Sequence, residues 1–437
     1  MMNLPCRRLR ILLPLVVAAL LAACSTPKPS TAPESAPGAV PGIADGPLVV
    51  PALSALPETP ARPLSGKFVQ AAWSDLPAWS KDDLRGVWTA LLRDCRGVVR
   101  PSTGNLSVPA RAAPRVWQPV CAAAADPSRA PAADNTEAVR AFLQNWLAPW
   151  RLVAADGKPA TGTVTGYYEP LVRGSRNRGG NYQWPLYTVP ADLLTIDLGK
   201  VYPELTGKRV RGKLDGNRVV PYDSRATLES SGRQPAAIVW VDDPVDNFFL
   251  QVQGSGRVLL TDGPGAGTTL RVAYADHNGH PYVSIGKWLA DKGEMPIAQT
   301  SMQNIREWAK RNPKRVPEML NANPALVFFR EETIVDPEIG PRGALGVPLM
   351  AQRSIAVDTA YVPLGAPVYL STTMPASAQP LNRLVFAQDT GTAIRGAARA
   401  DYYWGFGDEA GAMAGRMKQN GAMWILWPKQ AGAPSAR

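Results

Sequence analysis

The sequence predicts a mainly β protein with helices at its N-terminal side. Two observations carry this. Between about residues 72 and 156 apolar residues recur at helical spacing, the mark of amphipathic helices. From Gly162 onward, short aromatic and β-branched runs stand between Gly, Asn, Asp and Pro, the pattern of strands and turns. The chain of 437 residues is long enough for two domains.

At the start, Arg7, Arg8 and Arg10 precede the apolar run Ile11–Ala23. That run is too short for a stable spanning helix and has the layout of a secretory signal. Leu21-Ala22-Ala23-Cys24 resembles the lipobox of bacterial lipoproteins. The resemblance implies a lipidated Cys24, with an ordinary signal peptide as the alternative. Ser25 follows, not aspartate, which implies the periplasmic face of the outer membrane. Cleavage before Cys24 removes three arginines and no acid, taking the formal net charge from +11 to +8. A basic surface favours polyanions, and export makes nucleic acid an unsuitable target. Residues 24–70 are rich in Pro, Ala and Ser and read as a flexible tether. Cys95 and Cys121 remain in an oxidising compartment, either as one disulfide or as two buried thiols.

The folded elements follow in order. DDLRGVWTALLRDC, from Asp82, and NTEAVRAFLQNWLAPW, from Asn135, read as helices, separated by a Pro/Ala stretch of no clear period. GTVTGYYEPLVRGS, from Gly162, reads as a strand and turn. The runs as far as Ile285, including AAIVWVDDPVDNFFLQVQGSGRVLL, complete a β-rich region with hairpin signals at DGN and DHNGH. Residues 298–320 return to helix, with Met302, Ile305 and Trp308 at helical spacing. NPALVFFRE and the runs from Ala344 to Ile394 are again strand-like. A WGFG turn leads through EAGAMAGRMKQNG to a closing strand, MWILWP.

The chemistry narrows quickly. His277 and His280 are the only histidines and sit together in a hairpin-like loop, and no HExxH or CxxC is present. No metal or other cofactor is expected. A Ser-His-Asp or Cys-His arrangement lacks support, as do phosphate-binding and dinucleotide loops. Carboxylates remain. Cleaving a glycosidic bond needs an acid for the leaving oxygen and a base for the incoming hydroxyl. AQDTGTAIRGAARADYYWGFGDEAG holds Asp389, Asp401 and Asp408 beside Tyr402, Tyr403 and Trp404. Apolar walls raise an aspartate's pKa into a useful range. The alternative is that these acids cap turns and helices.

Several motifs carry a family resemblance: GYYEP (166–170), PYDSRATLE (221–229), FFLQVQGSGRV (248–258), NPALVFFRE (323–331), ALGVPL with RSIAVD (344–358), and the Asp389-to-Gly411 block. Together they resemble the membrane-bound lytic murein transglycosylase A family with its C-terminal 3D domain. Thr392 and Asp223 depart from the usual glycine and tyrosine of that pattern. The resemblance implies a double-psi β-barrel domain carrying an inserted second β-barrel domain. Its expected extents are 71–157 with 297–430 for the first, the 3D region being 344–427, and 158–296 for the insert. It implies cleavage between N-acetylmuramic acid and N-acetylglucosamine, leaving a 1,6-anhydromuramoyl end; a peptidoglycan glycan hydrolase and a non-catalytic wall-binding lipoprotein are the alternatives. Implied partners are glycan strands, a membrane through the lipid anchor, and other cell-wall enzymes. Asp401, in Arg399-Ala400-Asp401, matches the catalytic acid, and Asp389 the supporting acid. Tyr167, Glu169, Gln253, Ser255, Gly256, Arg257 and Asp408 are implied to line the groove. Tyr403 and Trp404 read either as groove walls or as core.

Overall fold

The computed structural model describes residues 47–56, 58, 63–100, 111–154, 157–199, 201, 202, 205 and 210–435. Cys24, the leader and much of the tether lie outside them. The tether's end is already structured. Leu56 is buried and Leu48 and Val50 pack on the main core. β1 (Lys67–Gln70) is followed by helices α1 (Val87–Val98), α2 (Pro114–Ala125) and α3 (Thr136–Trp146), and by β2 (Leu147–Val153), which pairs with β1.

The helices form for local reasons. In α1, Val87, Trp88, Leu91, Cys95 and Val98 share a buried stripe. α2 begins with Pro114 at its first turn, where a missing N–H costs nothing. The sequence read this stretch as irregular because alanine and proline obscure its period. Asn135 caps α3 by accepting from the Ala138 N–H. A Cys95–Cys121 disulfide joins α1 to α2, which decides between the two readings of these cysteines.

β3 (Thr161–Glu169) ends at Pro170, and the chain then enters a second body. Its elements are β4 (Leu171–Ser175), β5 (Trp184–Tyr187), β6 (Leu194–Ile196), β7 (Val210–Asp215), β8 (Arg218–Pro221), α4 (Arg225–Ser230) and β9 (Ala237–Val241). Then come α5 (Pro244–Gln253), β10 (Ser255–Asp262), β11 (Thr269–His277), α6 (Ile285–Asp291), α7 (Met302–Arg311), α8 (Val316–Asn321) and β12 (Val327–Glu332). The chain returns as β13 (Ser354–Val357), β14 (Pro367–Thr373), β15 (Pro380–Asp389), β16 (Ala400–Phe406), α9 (Gly407–Arg416) and β17 (Lys418–Pro428).

Among the described residues the first sheet runs β1-β2-β17-β14-β15-β13-β16-β3, and β17 also pairs with β3. Six strands, from β17 through β14, β15, β13 and β16 to β3, therefore close on themselves, and a closed sheet has no free edges. Ile355, Val357, Leu370, Val385, Ala400 and Tyr402 feed the main core against α1 and α2. The second sheet runs β12-β11-β10-β4-β9-β5, and a third, β6-β7-β8. The second sheet has its own core around Val172, Val239, Val258 and Phe329, and α5 to α8 share another around Phe248, Leu289 and Trp308.

The structure corrects the sequence reading at four places. α5 lies inside a run read as strand; Asp243 caps it, Pro244 opens it and Gly254 closes it in the left-handed region. The run after WGFG forms α9 before the closing strand. The helix read over 298–320 breaks at Asn312-Pro313 into α7 and α8. The second body extends to β12, past the boundary expected at 296, because β12 pairs along β11. No helix among the described residues is long and apolar enough to cross a membrane.

Candidate active site

Register brings the two aspartates together. Ala356 on β13 is the partner of Asp389 on β15 and, on its other side, of Asp401 on β16. Asp401 is in turn the partner of Thr165 on β3. Adjacent strands lie about 4.8 Å apart, so the two aspartates stand roughly 10 Å apart at the backbone, across one alanine. Asp389 reaches that position because β15 is bulged. Ile355 pairs with Ala387, yet Ala356 pairs with Asp389, leaving Gln388 as the extra residue. A bulge re-aims the side chain that follows it.

Each carboxylate is held differently. Asp389 Oδ1 accepts from the N–H groups of Ala344 (3.0 Å) and Thr390 (2.9 Å), and Oδ2 from the Tyr167 hydroxyl (3.2 Å). Asp401 Oδ1 accepts from the Thr165 hydroxyl at 2.6 Å, its only hydrogen bond among the described residues. That leaves Oδ2 open to a ligand. The Thr165 oxygen itself accepts from Arg399 at 2.8 Å. Burial pushes Asp389 up to about 6; its three donors oppose this and the Asp401 charge adds to it. Burial likewise raises Asp401, against the Thr165 hydrogen bond and the Arg399 charge. Tyr167 is raised by burial first and then by both aspartates. Two acids of raised pKa, one fixed on both oxygens and one with an oxygen to spare, can exchange a proton with a bound ether or hydroxyl.

The other residues expected at the site divide sharply. Tyr167 and Tyr403 are strand partners with rings 5.1 Å apart, and they pack with Ala356, Leu349 and Ile394 beside the aspartates. Tyr403 is 2 % exposed, so it is a wall of the site rather than an open stacking platform. Trp404 alternates to the opposite side. It lies in the main core, its indole N–H on the Met417 sulfur, and so is no groove wall.

Glu169 is fully buried between Arg257 and Arg271. It and Arg257 form an internal ion cluster instead of an open lining. Ser255 and Gly256 are buried, Gly256 against Leu250, while Gln253 is half-buried and accepts from the Tyr168 N–H. Asp408 is exposed in the first turn of α9, on a cavity of about 200 Å³ lined also by Tyr168, Asp246 and Arg306. Tyr168 points away from the side that Tyr167 faces, so Asp408 is not brought to the aspartate pair. Cys24 lies outside the described residues.

Thr165, Ala344 and Ala356 escaped the sequence reading, and Arg399 entered it only as the flank of Asp401. Two of them carried a signal: Thr165 precedes Tyr167 by the strand period, and Arg399 precedes Asp401 by two. Asp358 is a further buried acid, one residue beyond the end of β13. It accepts from the Gly396 N–H at 2.7 Å and fixes the turn carrying Ile394.

Comparison with known proteins gives the arrangement a family. The model of the MltA specific insert domain matches residues 163–330, and that of the 3D domain residues 353–427. The membrane-bound lytic murein transglycosylase A of Escherichia coli K12 is 32% identical over 296 residues, 66% of this chain and 71% of the relative. The chain belongs to the MltA family. It is a lytic transglycosylase acting on peptidoglycan. The lytic transglycosylase LtgG of Burkholderia pseudomallei is 44% identical, with a TM-score of 0.53; the match covers 85% of this chain and 100% of that one. E. coli MltA with bound chitohexaose is 26% identical, with a TM-score of 0.59, covering 84% and 95%. The mixed α/β fold is that of the MltA relatives, with the aspartate pair inside the matched 3D region.

Proposed function

We propose that Asp401 is the single acid and base of the cleavage, with Asp389 as its supporting acid. The observation that carries this reading is the unshared Oδ2 of Asp401 beside an Asp389 whose two oxygens are already taken. Asp401 begins protonated and gives its proton to the bridging oxygen between N-acetylmuramic acid and N-acetylglucosamine. Muramoyl C1 gains oxocarbenium character. The ionised Asp401 then takes the proton of the C6 hydroxyl as that oxygen closes on C1, leaving a 1,6-anhydromuramoyl end. Intramolecular attack needs no water, so one carboxylate serves both steps. Asp389 stands beside it as a second acid, one of its oxygens fixed by the Tyr167 hydroxyl.

The closed ring of six strands supports a double-psi β-barrel for the first body, and the run 171–332 an inserted second domain. The chitohexaose-bound relative supports an extended glycan as ligand. The lipobox-like Cys24 and the basic mature chain support a lipid-anchored enzyme on the periplasmic face of the outer membrane.

The test is digestion of purified peptidoglycan by the chain lacking residues 1–24, with Asp401→Asn and Asp389→Asn alongside. Muropeptides one water lighter than hydrolysis products are expected from the parent and not from Asp401→Asn. Asp389→Asn is expected to be slowed but active. Full-mass reducing ends would point instead to a hydrolase, and an active Asp401→Asn would remove Asp401 from the chemistry.

A further inference from the structure

Asp94 is a buried acid that the reaction does not use. It lies on α1, 1 % exposed. A carboxyl group in a core is costly unless hydrogen-bonded, and Gln388 Nε2 donates to Asp94 Oδ1 at 3.3 Å. Gln388 is the extra residue of the bulge in β15, directly before Asp389.

From Gln388 the contacts spread to the segment whose Ala344 N–H holds one oxygen of Asp389. Its Oε1 accepts from Ser354 Oγ at 2.6 Å, and that oxygen accepts from the Met350 N–H at 2.8 Å. Its backbone carbonyl accepts from the Leu345 N–H at 2.9 Å. Leu345 and Met350 bound the segment that follows Ala344, whose own N–H grips Asp389 Oδ1. One glutamine thus clips both ends of that segment to the bulge. The approach is close: a Cβ on Gly343 would meet the Gln388 carbonyl oxygen at 2.5 Å, so only glycine fits.

We propose that Asp94, acting through the Gln388 amide, is a positioning residue that fixes the bulge and thereby the Asp389 carboxylate. Asp94 needs only an acceptor oxygen to do this. Burial holds its carboxyl at about 8 against the opposing Gln388 hydrogen bond, so it is mostly neutral at pH 7 and a neutral amide is a fair replacement. The proposal rests on the supporting role given to Asp389.

The experiment compares Asp94→Asn, Asp94→Leu and Gln388→Met in the full chain, reading kcat and KM for anhydromuropeptide release. Asp94→Leu and Gln388→Met should each lose about tenfold in kcat, because misplacing the acid that supports the reacting one costs rate rather than binding. KM should stay within about twofold where binding contacts are intact. Asp94→Asn should restore the parent kcat. A folded Asp94→Leu with unchanged kcat overturns the proposal, as does an Asp94→Asn as slow as the leucine variant. If Asp94→Leu does not fold, Gln388→Met decides: parental kcat there overturns it. Asp389→Asn, measured beside them, separates the two levels. If it keeps full kcat, the role of Asp389 falls, and a slow Asp94→Leu then reflects the fold alone.

Discussion

At the scale of single residues, the Asp401 side chain is tuned by Thr165 and Arg399. The Thr165 hydroxyl donates to Asp401 Oδ1 and so favours the ionised form, holding down a pKa that burial raises. Thr165→Val keeps the shape and deletes the donor, and the pKa of Asp401 should rise further. An acid that must start protonated then stays competent to higher pH. The alkaline limb of kcat/KM is expected to move up by as much as about one pH unit. A limb that stays in place, or moves down, would show that Asp401 is not the group titrating there. The sequence made Asp401 and Asp389 visible as acids among aromatic residues. It could not place them on two sides of Ala356, because the strand pairings of β13 with β15 and with β16 join distant stretches. Local pattern carries no register of that kind. Trp404 was left open between groove wall and core, although strand alternation, which places it opposite Asp401 and Tyr403, favours the core.

At the scale of elements, α1 and α3 were legible because their apolar residues keep a helical period. α5 was not, since Phe248, Phe249 and Val252 suit strands as well, although its cap residues Asp243 and Gly254 were there to be read. α9 was hidden by its glycines. One of them, Gly411, has a packing reason, for a Cβ there would meet the Tyr168 ring at 2.8 Å. The Cys95–Cys121 bond spans 26 residues. Closing a loop of that length stabilises a fold by about 3.5 kcal/mol in the chain-entropy account. The pair Cys95→Ala and Cys121→Ala should therefore lower the denaturant midpoint and leave cleavage at 25 °C unchanged, since the bond joins α1 to α2 and is not among the contacts that hold Asp401. Equal midpoints for parent and double variant would count against this.

At the scale of the whole molecule, the first and second sheets are tied where the chain crosses between them. Glu169 ends β3 in the first sheet, while Arg257 and Arg271 stand on β10 and β11 in the second. Arg257 Nε donates to Glu169 at 2.8 Å, and Arg271 donates to both of its oxygens. The same guanidinium groups donate to the carbonyls of Pro337 and Ile339 on the returning segment. Arg257 also lies 3.6 Å over the Phe406 ring at the end of β16. One buried carboxylate therefore organises the outgoing crossing, the returning crossing and the strand that bears Asp401. Removing one partner of a buried ion cluster leaves uncompensated charge and costs about 3–5 kcal/mol. Glu169→Gln would leave two buried arginines facing an amide, and its unfolding midpoint in urea should fall accordingly. A residue that merely lined the groove would behave otherwise, raising KM for glycan while the midpoint stayed put. The two quantities can be measured on one preparation, the midpoint without glycan and the kinetics at a temperature where the variant is folded. A lowered midpoint with near-parental KM places Glu169 in the joint between the two sheets. A parental midpoint with a raised KM would return it to the groove, and would mean that the arginine pair tolerates its own charge.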